Sequence, residues 1–228
     1  MLNLNKEQQE KISIYCDKIL EWNEKINLTA IKDREMFRVK HIEDSLSCIQ
    51  LPEYANAKRV ADLGTGGGFP GIPLAIASPE KDFVLIDSLR KRLKIIDELC
   101  EELDIKNVMT VHARAEELGN DKEHREKYDV CVSRAVARLN ILVEWGLPLV
   151  KLNGAMIAFK GLKAEQEADE AKEGIKILGG RLDRIYKYSL ESEEMHSRSL
   201  VIIKKEKNTP KKYPRKPGKA KELSLIHI

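Results

Sequence analysis

Val60-Ala-Asp-Leu-Gly-Thr-Gly-Gly-Gly-Phe-Pro-Gly-Ile-Pro-Leu-Ala-Ile76 sets an apolar run, five glycines within eight residues and a second apolar run in direct succession. Arg59 to Leu63 reads as a strand, and Ile72 to Ala77 as the opening of a helix with Pro73 in its first turn, where a missing N–H is harmless. A strand that feeds a helix through glycines aims backbone N–H groups and a helix N-terminus at one point, and the absent Cβ atoms admit a ligand close to the backbone. Gly66-Gly67-Gly68-Phe69-Pro70-Gly71 fits the frame GxGxxG, which several classes of nucleotide site share. Asp87 closes the next apolar run, Phe83 to Ile86, 21 positions after Gly66. A carboxylate there can accept hydrogen bonds from both hydroxyls of a ribose, or can serve only to cap the following helix.

Outward from this stretch the chain alternates. Strand patterns at Asn107 to His112, Asp129 to Ser133 and Ala155 to Phe159 are separated by helical ones, Ser88 to Leu103 with Ser88 as cap and Leu139 to Leu152. Such alternation predicts an α/β fold with a parallel sheet covered on both faces. A Glu, Ala and Lys-rich helix from Lys163 to Leu178 is stopped by Gly179 and Gly180. Arg181 to Tyr188 and Leu200 to Lys205 are then joined without a helical crossover, so the sheet should end in an antiparallel hairpin. Ahead of the sheet, Ile12, Tyr15, Cys16, Ile19, Trp22 and Ile26 recur at helical spacing, and a second helix should run from Asp33 to Ile49, ended by Pro52. Three parts are expected: a helical extension over 1–52, the main domain over 53–207, and a basic tail over 208–228 whose prolines disfavour regular structure.

Forty Lys and Arg against 37 Asp and Glu give a net +3, but Lys204 to Lys221 holds nine cations and one acid, a local +8 that leaves −5 on the rest. A mildly acidic body with a cationic end suits a polyanionic partner, although a solvated tail would look the same. The 228 residues can bury roughly 70% of their unfolded surface, so no disulfide or structural metal is needed. Cys16, Cys48, Cys100 and Cys131 are at least 31 positions apart, and the five histidines form no metal-ligand cluster. Met1 to Glu10 lacks the apolar core of a cleavable signal, and no run approaches the ~20 apolar residues of a membrane span. A cytoplasmic protein with no membrane contact and no metal is expected.

Asp62 to Ala75, together with Leu85-Ile-Asp-Ser-Leu-Arg-Lys-Arg92, Ala113-Arg-Ala-Glu-Glu117 and Ser133-Arg-Ala-Val-Ala137, resembles the bacterial 16S ribosomal RNA guanine-N7 methyltransferases, the glucose-inhibited division protein B family. Trp22-Asn23, Asn27-Leu-Thr29, His41-Ile-Glu-Asp-Ser45, Lys160-Gly161 and Tyr213-Pro-Arg-Lys-Pro-Gly218 are similar to its pattern too, so the likeness spans nearly the whole chain and departs from it at Glu222 to Ile228. The resemblance implies a class I methyltransferase fold, Rossmann-like, with a mostly parallel seven-stranded sheet. It implies S-adenosyl-L-methionine as cofactor and 16S ribosomal RNA, or a small-subunit assembly particle, as partner; the enzyme is expected to be a monomer. By the same likeness Gly64 and Phe69 should lie against the methionine and ribose of the donor, Asp87 should hold the ribose, Ala115 and Glu116 should border the adenine, and Arg134 should reach the cofactor side of the cleft.

Guanine N7 has a lone pair and no proton to lose, so transfer from a sulfonium calls for positioning and a suitable electrostatic setting rather than a base. His41, with Asp44 and Ser45 three and four positions on, therefore reads as an organiser of the cleft wall and its RNA contacts rather than as a catalyst. Arg134, Arg138, Lys160 and Arg198 fall at or just past strand ends and can bind phosphate or the guanine O6 edge, with Arg134 and Lys160 as the positioning candidates. Lys211, Lys212, Arg215 and Lys216 should follow a phosphate backbone. Asn27-Leu28-Thr29 also matches a glycosylation acceptor, which has no meaning without a secretory signal. Two other functions use some of these features: a nicotinamide-dinucleotide-dependent oxidoreductase through the glycine loop and Asp87, and a non-catalytic RNA-binding module through the basic end.

Overall fold

The structure, a computed structural model, describes residues 4–26, 28–191, 198–222 and 225. Asn27 and the terminal residues 223, 224 and 226–228 lie outside them. Helix α1 (Lys6–Asn23) starts from a capping box in which the Asn5 side chain accepts the Gln8 N–H at 2.9 Å and the Gln8 side chain accepts the Asn5 N–H at 3.0 Å. The second helical stretch is built from three pieces, α2 (Arg34–Phe37), a π-turn over Arg38–Glu43 and α3 (Asp44–Leu46). Pro52 begins a helix rather than ending one: it occupies the first turn of α4 (Pro52–Ala55), where its missing N–H has no partner to lose.

The alternating part follows as β1 (Arg59–Leu63), α5 (Gly71–Ala77), β2 (Asp82–Asp87), α6 (Arg90–Glu102), β3 (Val108–His112), α7 (Ala115–Leu118), β4 (Tyr128–Arg134), α8 (Leu139–Gly146), β5 (Val150–Lys160), α9 (Ala164–Ile177), β6 (Gly180–Tyr188), β7 (Arg198–Lys205) and α10 (Lys219–Glu222). The seven strands lie in the order β3-β2-β1-β4-β5-β7-β6. The first five pair in parallel, and β7 runs antiparallel to both β5 and β6. This is the predicted α/β sheet with its closing hairpin.

Alternation along each strand divides the core in two. Val60, Phe83, Leu85, Val130, Val132 and Ile157 meet α5, α6 and the N-terminal helices on one face. Ala61, Leu63, Val84, Ile86, Cys131 and Met156 meet α8, α9 and the C-terminal segment on the other. The four cysteines are buried free thiols. Among the described residues no helix is long and apolar enough to cross a membrane.

Three further expectations need correction. Ser88 does not cap α6: Leu89 stands before its first turn, and the Leu89 N–H is held by Asp87 Oδ1 at 2.8 Å. Leu139 to Leu152 is not one helix, because Pro148 cannot continue it; a 3₁₀ turn over Leu147–Leu149 follows α8, and β5 already begins at Val150.

The third correction concerns residues 208–222, which do not run free. The Arg125 guanidinium donates to the carbonyls of Thr209 (2.7 Å) and Tyr213 (2.8 Å), and Asn120 Nδ2 donates to Pro214 O (3.1 Å). The Arg215 side chain grips Glu144, with Nε to Oε1 at 2.9 Å and Nη2 to Oε2 at 2.6 Å. Tyr213, Ala220 and Leu225 are buried in the second core. Lys205, counted in the cationic run, is buried as well; its ammonium donates to Leu147 O and Thr209 Oγ1 beside Glu126, and burial lowers its pKa to about 8. The apolar positions Tyr213 and Ala220 decide the matter, since burying them favours packing against the body over solvation of the lysines between them.

Candidate active site

The parallel strands end at one edge of the sheet, and the strand order reverses at β1, flanked by β2 and β4. Ligands of open α/β sheets bind in the crevice at such a point. The glycine loop leaves β1 there. Gly64 and Thr65 both donate their N–H to Ile86 O, which ties the loop to β2. Gly64 has φ +74°, and a Cβ on it would collide with Val136 in the β4–α8 loop; Gly66 has φ +60° and open space where a Cβ would stand. Of the two, Gly66 is the one whose backbone faces free volume, and its N–H donates to Asp87 Oδ2 at 2.9 Å.

Asp62, at the penultimate position of β1, is fully buried. Its Oδ2 accepts from Thr65 Oγ1 (2.6 Å) and the Gly71 N–H (2.8 Å), clamping both ends of the loop, while Oδ1 has no hydrogen-bond partner. Burial raises its pKa to about 6.

Behind the loop the N-terminal extension supplies a wall. The Phe69 ring is buried, stacked on His41 at 4.7 Å between centroids and packed edge-on to Phe37 at 5.5 Å. Its ring is thus committed to the aromatic cluster. The Tyr15 hydroxyl donates to Gly67 O from beneath.

Arg134 ends β4 and is the junction of this wall with the sheet. Its Nη1 donates to Asp44 Oδ2 at 2.6 Å and to His41 O at 3.3 Å, its Nη2 lies 3.0 Å from His41 Nδ1, and its Cζ is 5.5 Å from the Phe69 ring centre. Tyr188, from β6, donates its hydroxyl to the other Asp44 oxygen at 2.8 Å. Ala135, next along, has φ +58°, a strained position for a residue with a Cβ and placed where strained backbone tends to cluster.

His41 has no ring nitrogen left for RNA. A guanidinium only donates, so Nδ1 accepts from Arg134, the proton sits on Nε2, and Nε2 donates to Thr29 Oγ1 at 2.7 Å. Burial, then the positive charges of Arg134 and Arg198, lower its pKa to about 3. The unfolded ring binds a proton below about pH 6.5 whereas the folded ring does not, so this site contributes stability that is present above pH 6.5 and is lost as pH falls toward 3. Asp62 acts in the opposite sense between about pH 4 and 6, because there the folded state holds the extra proton. Comparing wild type with His41→Asn isolates the histidine: the stability gap in denaturant should shrink by about 1.4 kcal/mol per pH unit on acidification from 6 to 4.5. A gap that does not change with pH, or a His41 ring that titrates near 6 by NMR, would contradict the assignment.

Arg134, Arg138, Lys160 and Arg198 do converge, lining one cavity of about 400 Å³ with Ala135, Phe159 and Gly161 at the carboxyl ends of β4 and β5. Not all present their charge to it. Lys160 donates to Ala137 O and Glu167 Oε2, both at 2.7 Å, so it fixes the β4–α8 loop. Arg138 is exposed and paired with Glu170. Among the basic-tail residues Lys211, Lys212 and Lys216 are exposed, whereas Arg215 is held by Glu144. On the far side of Asp87, Glu116 is 8% exposed on α7 and Ala115 beside it is half-buried. A larger cavity, about 930 Å³ between α1, the π-turn and the end of β6, shares no residue with the glycine loop or the carboxyl ends of β1, β2 and β4. Among the described residues no group of three or more His, Cys, Asp or Glu could hold a metal ion.

Sequence reasoning missed the Asp44–Arg134–Tyr188 junction and the Glu144–Arg215 pair. Asp44 was visible only as a neighbour of His41; its partners come from 90 and 144 positions away.

A reversed β7 between β5 and β6 sets this sheet apart from doubly wound dinucleotide-binding domains, and it defines the class I methyltransferase fold. Solved members superpose on it. An O-methyltransferase from Bacillus cereus in complex with SAH gives a TM-score of 0.58 at 17% identity, covering 84% of this chain and 91% of that one. TYW2 of P. horikoshii in complex with MeSAdo gives 0.55 at 12% identity, covering 72% and 62%. The sequence then narrows the class. The model of the family described as "GidB: rRNA small subunit methyltransferase G" matches residues 8–197. Ribosomal RNA small subunit methyltransferase G of Clostridium novyi is 45% identical over 99% of this chain and 92% of its own length, and that of Acetivibrio thermocellus 47% identical over 98% and 91%. The chain belongs to the rRNA small subunit methyltransferase G family.

Proposed function

We propose that the protein transfers a methyl group from S-adenosyl-L-methionine to N7 of a guanosine in 16S ribosomal RNA, acting in the cytoplasm as a monomer on the RNA or on a small-subunit assembly particle. The observation that carries this reading is the crevice at β1, where Gly66 opens to free volume beside two buried carboxylates, Asp62 with an unpartnered oxygen and Asp87 with spare acceptor capacity. Such a cradle, rich in acceptors and backbone, fits a nucleoside that carries hydroxyls and a cationic amino acid. When bound, the donor supplies a methyl on a sulfonium; its C–S bond breaks toward sulfur as the N7 lone pair forms the new C–N bond, and no proton leaves the guanine.

In this reading Asp87 receives the ribose hydroxyls, the glycine loop carries the methionine portion, Ala115 and Glu116 border the adenine, and Arg134 orders the cleft beside the methyl. The cavity lined by Arg134, Arg138 and Arg198 receives the guanine, whose O6 attracts guanidinium donors while N7 keeps its lone pair for the methyl. Lys160 acts one step back, holding the loop that lines it. The nicotinamide and binding-module alternatives fall to the reversed β7 and the family membership.

Incubating the protein with labelled donor and unmodified small-subunit RNA, then mapping the modified base, tests the function; absence of label at any guanine N7 would refute it. The pH dependence tests the mechanism. With RNA and donor saturating, single-turnover methyl transfer should vary less than about twofold between pH 6.5 and 8.5, since no base is needed and His41 is already neutral throughout. A rate climbing tenfold per pH unit would require a titrating base and overturn the scheme.

A further inference from the structure

The C-terminal segment reaches the side of the crevice opposite the aromatic wall. Pro214 packs on Gly119, directly after α7, so closely that a Cβ there would stand 2.6 Å from Pro214 Cγ. Tyr213 and Ala220 share their core with Ala113 and Ala115, at the carboxyl side of β3. From that anchorage Gly218 turns inward at φ +89° and donates its N–H to Glu116 Oε1 at 3.3 Å. Glu116 is almost wholly buried, and a carboxylate so placed needs donors.

We propose that residues 213–220 form the adenine-side wall of the donor pocket, and that Gly218 positions Glu116 by occupying one of its oxygens, leaving the other to accept an N–H from the bound nucleobase. The inference rests on the reading that Glu116 borders the adenine. It reassigns the basic segment: its fixed part serves the small-molecule donor, and Lys211, Lys212, Lys216 and Lys219 lie on the outside of that wall. It also makes the site selective. A carboxylate accepts from the exocyclic amine of adenine and repels the carbonyl that stands there in hypoxanthine, because both would be acceptors.

The probes are S-adenosylhomocysteine and S-inosylhomocysteine, bound to the full chain and followed by calorimetry. Wild type should prefer the adenosyl compound. Gly218→Val puts its side chain into open space, with only Glu222 Oε1 near at 3.9 Å, but cannot hold φ +89° without strain, so the amide moves away. Its affinity for S-adenosylhomocysteine should fall by about tenfold, the worth of one hydrogen bond to a charged group, and most of the preference should vanish. The salt slope of RNA binding should stay near wild type and the variant should still melt in one cooperative transition, lowered only by the local strain, which separates positioning from general damage. Gly218→Ala strains the turn less and carries the same test if the valine variant fails to fold. Glu116→Gln should reverse the preference, since its amide donates to a carbonyl.

Wild-type affinity and preference in both Gly218 variants, with a changed Glu116→Gln, would remove the segment from the pocket and leave Glu116 in it. No change in Glu116→Gln would remove Glu116 from the adenine and with it the reading beneath. A Gly218 variant that loses only RNA affinity would show that the wall faces nucleic acid instead.

Discussion

Replacing Arg134 by methionine is expected to cost about 3–5 kcal/mol of folding stability, the scale of breaking a buried ion pair from one side. Asp44 is 1% exposed, and both of its oxygens are committed, one to Arg134 and one to Tyr188. Methionine fills much of the arginine stem's volume but donates nothing, so a buried carboxylate would be left uncompensated. The His41 carbonyl and ring nitrogen lose a donor in the same step. Urea denaturation should show a lower midpoint with an unchanged slope. Adding Asp44→Asn to Arg134→Met should recover part of the loss, because a neutral amide is cheaper to bury than an unpaired charge. A loss below about 1 kcal/mol would mean that the junction does not hold the N-terminal helices to the sheet.

Asp87→Ala is expected to weaken donor binding by about 1.5–3 kcal/mol, as for the loss of hydrogen bonds to a charged group. A carboxylate offers about four acceptor sites. The Gly66 and Leu89 N–H groups use one on each oxygen, which leaves capacity for two ribose hydroxyls. The same two bonds change what the substitution does to the fold. With Asp87 only 6% exposed, removing it strands two backbone donors, so about 1–3 kcal/mol of stability should go as well. The side chain therefore holds the glycine loop and the start of the next helix as well as facing the crevice. Calorimetry with S-adenosylhomocysteine and chemical denaturation on the same variant separate the two losses. Unchanged affinity in a destabilised protein would leave Asp87 a clamp on the glycine loop and nothing more.

The site's frame was legible because it is local. Strand, glycines, helix and Asp87 fall within one βαβ unit, where spacing along the chain and position in space nearly coincide. Pairings across many strands were not legible. Arg134 could be placed at a strand end, but nothing near it in sequence marks Asp44 or Tyr188 as its company. Nothing near His41 in sequence marks its two ring partners either: both nitrogens are turned to protein, one to Thr29 and one to Arg134. The C-terminal segment misled through composition. Prolines and lysines dominate it, yet a few apolar side chains and the backbone-capturing Arg125 outweigh them. Leu147 to Leu152 shows the ordinary ambiguity of a short apolar run, which suits a helix or a buried strand equally until a proline breaks the tie.

The place of β7 between β5 and β6 has a consequence for biogenesis. Translation delivers β6 before the strand that joins it to the sheet, so for the time needed to make residues 189–205 the newborn chain carries a sheet with β5 as an open edge. That edge includes Ala155-Met-Ile-Ala-Phe159, uncharged, wholly apolar and free of proline, the composition of a segment prone to stick to its own kind. Ribosome-bound chains stalled before Arg198 should depend on a holdase to stay soluble, while chains a little longer should not. Messenger lesions that truncate the protein in this window would then yield aggregates rather than a smaller, idle enzyme.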